Sequence, residues 1–164
     1  MNNSKAGYLA FDTAVYLLTY KNRTKREIAD KLKEKGYSEA EIDKALKKLT
    51  EYNFVNDESY TLSYIKSNMN KKGKKLICME LAQKGIDKDT TEAKLEELCV
   101  YEREEENIDA IFQKRFVNSD LEDMKVRNKI LSYFLRRGFS LDKISKIVKN
   151  YRENSKTSDY YNTF

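Results

Sequence analysis

The sequence predicts an all-α protein of three tandem three-helix repeats, and three observations carry the prediction. First, one pattern of eight positions occurs three times: Ile28, Leu32, Gly36, Tyr37, Ser38, Ile42, Leu46, Leu49; then Ile77, Leu81, Gly85, Ile86, Asp87, Thr91, Leu95, Leu98; then Ile130, Phe134, Gly138, Phe139, Ser140, Ile144, Val148, Tyr151. Second, the three glycines lie 49 and 53 residues apart, the spacing of a repeated supersecondary unit. Third, the 164 residues contain no proline, so nothing breaks helices from within. Hydrophobic residues are 40% and charged residues 36%, which fits thin-cored stacked helices better than one thick globule.

The chemistry of the pattern explains its spacing. Two apolar residues four apart, the second four before the glycine, share one helix face. The glycine takes the left-handed conformation that ends a helix at little steric cost. A large apolar residue follows (Tyr37, Ile86 or Phe139). Then comes Ser38, Asp87 or Ser140, each able to accept from the free amides of a new helix. Ser38 with Glu41 reads as a capping box. Apolar positions six, ten and thirteen past the glycine line one face of that second helix.

In chain order, residues 8–20 form a first helix with Ala10, Ala14, Leu17 and Leu18 along one side. Thr24 and Glu27 cap the helix carrying Ile28 and Leu32. The next helix runs to about Tyr52, and Phe54 and Val55 close the unit. Asp57 is read as the cap of the next helix, marked by Tyr60, Tyr64 and Ile65. Residues 70–73 are a break, followed by helices over 74–84 and 88–99. Glu102 and Glu104 to Glu106 favour the dipole at the start of a helix faced by Ile108, Ile111, Phe112 and Phe116. A helix over 121–137, longer than its counterparts, precedes a last helix ending near Arg152. The expected organisation is 1–55, 56–99 and 100–153 as three repeats, with 154–164 a flexible tail. Each repeat is too small to bury its own face, so neighbours complete the core and the molecule should be elongated and curved.

Composition excludes several classes. Cys78 and Cys99 lack metal-ligand spacing and read as reduced core residues. The start of the chain has no apolar signal core, and no stretch approaches a membrane helix, so a cytoplasmic protein without membrane contact is expected. There is no histidine, the commonest general base. The phosphate-loop pattern fails near Gly73, where Asn68 and Lys75 stand in place of glycine and a hydroxyl residue. No catalytic residue, metal site or cofactor is expected, and the chain does not read as an enzyme.

Aligning the glycines exposes a second repeat, of charge. Arg23, Lys72 and Lys125 stand thirteen before them; Lys25, Lys74 and Arg127 stand eleven before. Arg26, Lys71, Lys75 and Lys129 lie close by. Cations at helix starts oppose the dipole at roughly 0.3–1 kcal/mol each, so local stability does not place them there. A repeating basic edge fits phosphate backbones or an acidic protein surface. Reading of the DNA major groove is disfavoured, because the helices after the glycines begin Ser38-Glu39-Ala40-Glu41, Asp87-Lys88-Asp89 and Ser140-Leu141-Asp142, and acidic starts repel DNA.

The chain resembles the RecX regulatory protein family from about Ala10 to Tyr151. The likeness rests on the threefold pattern, on Asn56-Asp57 followed by Tyr60, Tyr64 and Ile65, on Leu81-Ala82-Gln83-Lys84-Gly85-Ile86, and on Leu135-Arg136-Arg137-Gly138-Phe139. The resemblance implies three tandem three-helix repeats, binding in the groove of the RecA recombinase filament, and modulation, mostly inhibition, of its ATP hydrolysis and strand exchange in recombination and DNA repair; a monomer is expected. Some members also contact single- or double-stranded DNA. The resemblance supplies no catalytic residues and no residue-level recombinase contacts. A stand-alone nucleic-acid-binding protein and a scaffold for another partner remain open alternatives.

Overall fold

Gly36, Gly85 and Gly138 each end a helix with φ of +85°, +81° and +80°. Their hydrogen bonds are the same three times. The Tyr37, Ile86 and Phe139 amides donate back to the Leu32, Leu81 and Phe134 carbonyls, and the three glycine amides to Lys33, Ala82 and Leu135. This is the Schellman turn, which pairs two otherwise orphaned carbonyls and brings an apolar residue after the glycine onto one before it. In the third repeat that contact is a Phe134–Phe139 ring pair at 5.7 Å.

The computed structural model describes residues 3–161, with side chains for residues 9–154. Among these residues there are nine helices and no strand: α1 (Asn3–Tyr20), α2 (Lys25–Glu34), α3 (Glu39–Glu51), α4 (Asp57–Asn68), α5 (Lys74–Gln83), α6 (Lys88–Glu97), α7 (Glu104–Phe116), α8 (Met124–Leu135) and α9 (Leu141–Tyr161). The expected all-α, three-repeat fold is what the chain forms. It divides into two compact units: Met1–Tyr64 with Glu80–Lys94, and Ile65–Met79 with Leu95–Phe164. The division runs through α4 and α5, so the second repeat contributes to both.

In the first unit, Ala10 and Ala14 of α1 and Ala45 of α3 are fully buried with Ile28, Leu32 and Leu49. Three alanines at one contact let helix backbones approach closely, and the branched residues fill the space beside them. The start of α2 is seated on the Gly85 turn. Thr24 accepts from the Glu27 amide at 3.1 Å while its hydroxyl donates to the Lys84 carbonyl at 2.6 Å. The Glu27 carboxylate takes the Thr24 amide at 3.1 Å and the Lys84 ammonium at 2.8 Å. A Cβ on Gly85 would fall 2.5 Å from Cβ and Cδ of Arg26.

The second unit repeats this joint one repeat further on. The Gly73 amide donates to the Arg137 carbonyl at 2.8 Å, and the Lys75 amide to the Gly138 carbonyl at 3.2 Å. The positive end of α5 thus meets the negative end of α8. A Cβ on Gly73 would lie 2.3 Å from the Gly138 oxygen, and one on Gly138 would lie 2.3 Å from the Leu76 nitrogen. The core of this unit is aromatic. Phe112 stacks on Tyr151 at 4.3 Å, and Phe116 meets Tyr133 and Phe134 at 5.1 and 6.0 Å.

Several boundaries differ from expectation for local reasons. α8 begins at Met124 because Asp123 caps it, accepting from the Lys125 amide at 2.7 Å. Leu121 is therefore buried outside the helix. α6 ends one turn early: Leu95 is fully buried and takes the turn bond from the Val100 amide, while Leu98 is only partly buried. Cys99, with φ +52°, is exposed at that turn and is not a core residue; Cys78 is half-buried, and neither cysteine forms a disulfide. Asn56, not Asp57, caps α4 by accepting from the Ser59 amide at 3.0 Å, and Asp57 accepts from the Lys25 amide of α2. α9 continues past Arg152 to Tyr161. Of the tail expected over 154–164, residues 162–164 and all side chains from 155 lie outside the described residues.

A glycine-to-alanine series separates backbone strain from packing. Gly36→Ala should cost about 1–2 kcal/mol, the left-handed penalty alone, because nothing lies within 4 Å of its added Cβ. Gly138→Ala should cost clearly more, since it also drives a methyl into the backbone of α5. Urea unfolding of the two variants checks the order; equal losses would remove the joint as the cause.

Candidate functional site

Two of the three basic helix starts, those of α2 and α5, sit at the joints just described, and the third is that of α8. Arg23, Lys25 and Arg26 belong to the first unit; Lys71, Lys72, Lys74, Lys75, Lys125, Arg127 and Lys129 belong to the second. Lys25, Arg26, Lys71, Lys75, Lys125 and Lys129 are exposed, and Arg23, Lys72, Lys74 and Arg127 are half-buried. Three of the ten also have structural work. Arg26 covers Gly85 with its aliphatic stem. The Lys74 ammonium lies 4.1 Å over the Tyr101 ring. Arg127 donates to the Leu121 and Glu122 carbonyls at 2.6 and 2.8 Å, closing the turn before α8. Arg23 has a buried Nε with no protein partner, beside a polar pocket lined by Asn22, Asn53, Asn56, Ser59 and Tyr60.

Around the first joint lies a polar network that sequence reading did not assemble. Lys84 joins Glu27 and sits 5.7 Å over the Tyr60 ring, which stacks on Tyr64. The Tyr64 hydroxyl donates to Glu80 at 2.5 Å. Burial opposes the charged form of Glu27, but the bonds from Lys84 and Thr24 outweigh it, and its pKa falls below the usual 4.5. The Glu27 bond holds the Lys84 ammonium above its usual 10.5. Burial and the Glu80 carboxylate together push the Tyr64 phenol well up.

The second unit holds a basic cleft of about 430 Å³ that sequence reading also missed. Asn70, Lys71, Lys114, Arg115 and Arg137 surround a floor of Ala110, Ile111 and Tyr133. The guanidinium carbons of Arg137 and Arg115 lie 3.7 and 5.4 Å from the Tyr133 ring centre. Only Lys71 is among the ten candidates. The other cations come from the last turn of α7 and the turn after α8, where the glycine alignment does not look. Glu104 lies in the first turn of α7, as its sequence position predicts, and has a further role. It is buried at 6% exposure and accepts from the Ser140 hydroxyl at 2.5 Å and amide at 3.1 Å, so α7 caps α9.

Among the described residues no group of three metal-ligating side chains could hold a metal ion, and no helix is long and apolar enough to cross a membrane. Three family models match in order: the first three-helix domain of RecX over residues 10–49, the second over 56–95 and the third over 102–148. The chain belongs to the RecX family.

Named relatives agree. The chain is 36% identical to a protein of Finegoldia magna over 92% of its own length and 75% of the relative's, and 35% identical to one of Clostridium botulinum over 77% and 61%. Both are called "Regulatory protein RecX". A Clostridium beijerinckii protein of the same name is matched over 66% of its length, so the chain spans under two thirds of some relatives. The crystal structure of RecX from Lactobacillus salivarius superposes with a TM-score of 0.78, at 30% identity, over 91% of this chain and 98% of that one. Both relatives are thus named as regulatory proteins.

The Glu27–Lys84 pair gives the fold a pH signature. Because the folded pKa of Glu27 is lowered, its contribution is present above the usual 4.5 and lost as pH falls through the folded value. Because that of Lys84 is raised, its contribution holds below 10.5 and is lost at higher pH. Glu27→Gln should cost about 1–2 kcal/mol at neutral pH. The gap from the parent should close under acid; urea unfolding across pH checks whether it does.

Proposed function

We propose that this protein regulates the RecA recombinase by binding its filament and slowing ATP hydrolysis and strand exchange. The observation that carries the reading is the order of three RecX domains over residues 10–148 in a chain whose relatives are named regulatory proteins. Repeated units presenting repeated basic helix starts fit a repeating polymer. Linked weak contacts give avidity beyond any single one. In this reading the protein acts as a cytoplasmic monomer without a cofactor. Its contacts are drawn from Arg23, Lys25, Arg26, Lys71, Lys72, Lys74, Lys75, Lys125, Arg127 and Lys129, with the filament's protein surface or its DNA.

Titration of the whole chain into a recombinase ATPase assay on single-stranded DNA tests the proposal, with filament pelleting to measure occupancy. Inhibition should follow occupancy and weaken with salt, since screening is strong beyond about 8–10 Å at physiological ionic strength. Replacing Lys72, Lys74 and Lys75 with glutamate should weaken binding about tenfold or more while circular dichroism stays unchanged. Absence of pelleting by the whole chain would reject the reading; parent-like binding by the triple variant would reject the contacts.

A further inference from the structure

We infer that the first unit carries a docking surface for a short peptide segment in which a carboxylate stands beside an apolar side chain. Two features meet there: a donor-rich pocket at Arg23, and an exposed aromatic turn at Tyr52 and Phe54. The pocket has about 260 Å³ and sits where the chain enters α2 and α4. The Arg23 Nε–H lies buried at its edge with no acceptor in the protein. A charged donor closed off from water costs free energy until an oxygen meets it. The nearby amide oxygens are already engaged. That of Asn53 accepts from the Asn56 side chain at 3.2 Å, and that of Asn56 from the Ser59 amide at 3.0 Å. Asn22, Asn53 and Ser59 bring further donors, and the described lining holds no carboxylate. Asn56 and Ser59 also place the pocket at the positive end of α4.

The aromatic turn supplies the apolar half. After the other left-handed residues the next side chain packs inward: Ile86, Val100 and Phe139 are buried and Tyr37 is half-buried. Phe54 holds that place after Asn53 yet is 52% exposed, because Val55 takes the inward position and shares the Leu49 carbonyl with it. Tyr52, on the other side of Asn53, is 66% exposed. The Tyr52 and Phe54 rings lie edge-on to Phe11 at 6.2 and 6.1 Å, which fixes them as a ledge. Phe54 also lines the pocket, so ledge and pocket form one surface. Apolar area gathered beside polar groups marks an interaction face. Charge selects the occupant. A guanidinium edge takes both oxygens of one carboxylate. Glu51, Asp57 and Glu58 adjoin the turn and the lining in the chain, and they repel a polyanion such as a nucleic-acid strand while leaving room for a single acid.

The test is selection of a displayed random-peptide library on the immobilised whole chain, then fluorescence anisotropy of the labelled consensus peptide. No recombinase is present, so the outcome is independent of the filament reading. Enriched peptides should carry an aspartate or glutamate beside an aromatic or branched aliphatic residue. Tyr52→Ser with Phe54→Ser changes exposed side chains, and should leave circular dichroism unchanged while weakening the peptide about tenfold or more. Arg23→Lys keeps the charge but loses the fork, and should weaken it comparably, as should the peptide with its acid changed to the amide. Met124→Ser with Leu141→Ser removes exposed apolar groups from the second unit and should keep parent binding. No enrichment, enriched peptides without an acid, parent-like binding by the Tyr52 and Phe54 double variant, or equal loss in the control would overturn the surface. Displacement of the peptide by oligothymidine would assign it to nucleic acid, and self-association in sedimentation that the same double variant abolishes would assign it to a second copy; either would overturn the proposal.

Discussion

The structure depends on one joint: the start of a middle helix in one repeat seated on the glycine turn of the next. At both joints the contact is backbone against backbone or against the first carbons of a side chain. This closeness, more than conformation alone, demands glycine. Asn53 and Cys99 occupy the left-handed region at φ +57° and +52° in the turns that end α3 and α6. Their amides and those of the following residues repeat the bonds of the glycine turns. A side chain is therefore tolerable in such a turn when nothing presses on it. At Gly85 and Gly138 something does, and an added methyl would part the repeats.

The joint also settles the electrostatics of the helix ends. At one joint the Gly73 and Lys75 amides donate to the Arg137 and Gly138 carbonyls, so groups at the two helix ends satisfy one another. At the other joint Thr24 accepts a bond from within its own helix and donates one to the next repeat. A hydroxyl can do both, whereas an ionised aspartate only accepts. Asp57 and Glu104 cap helices other than their own. Caps exchanged between helices make the ends of each element depend on its neighbours, which suits units too small to stand alone.

What was legible in the sequence follows from this division. The periodic faces, the glycines and the Thr24–Glu27 box are local, with partners within one turn, and their positions alone predicted them. Bonds from Asp57 to Lys25, Glu104 to Ser140 and Thr24 to Lys84 span 32, 36 and 60 residues, and no periodicity announces such pairs. Asp57 and Glu104 were accordingly read as caps or dipole charges of their own helices. The alignment also carried Leu98 into the place that Leu95 holds, because α6 is 10 residues long and α3 is 13. A fixed offset cannot register a helix that ends a turn early.

The same limit explains the candidate site. Alignment on the glycines finds charge that repeats, and repeating charge in this chain marks the seated helix starts. There the cations are partly occupied: Arg26 shields a glycine, Lys74 lies on Tyr101 and Arg127 closes a turn. A second group of cations in the second unit gathers where α7 ends, where α8 turns and where the chain enters α5. These segments have no common offset from a glycine and meet only in the folded unit. The carboxylates at the start of α7, Glu104 and Glu105, pair with Lys143 and Lys146 of α9, while Lys114 and Arg115 at its other end make no ion pair among the described residues. The polarity of one helix thus separates the charges: acid to the end that is held, base to the end that faces the cleft.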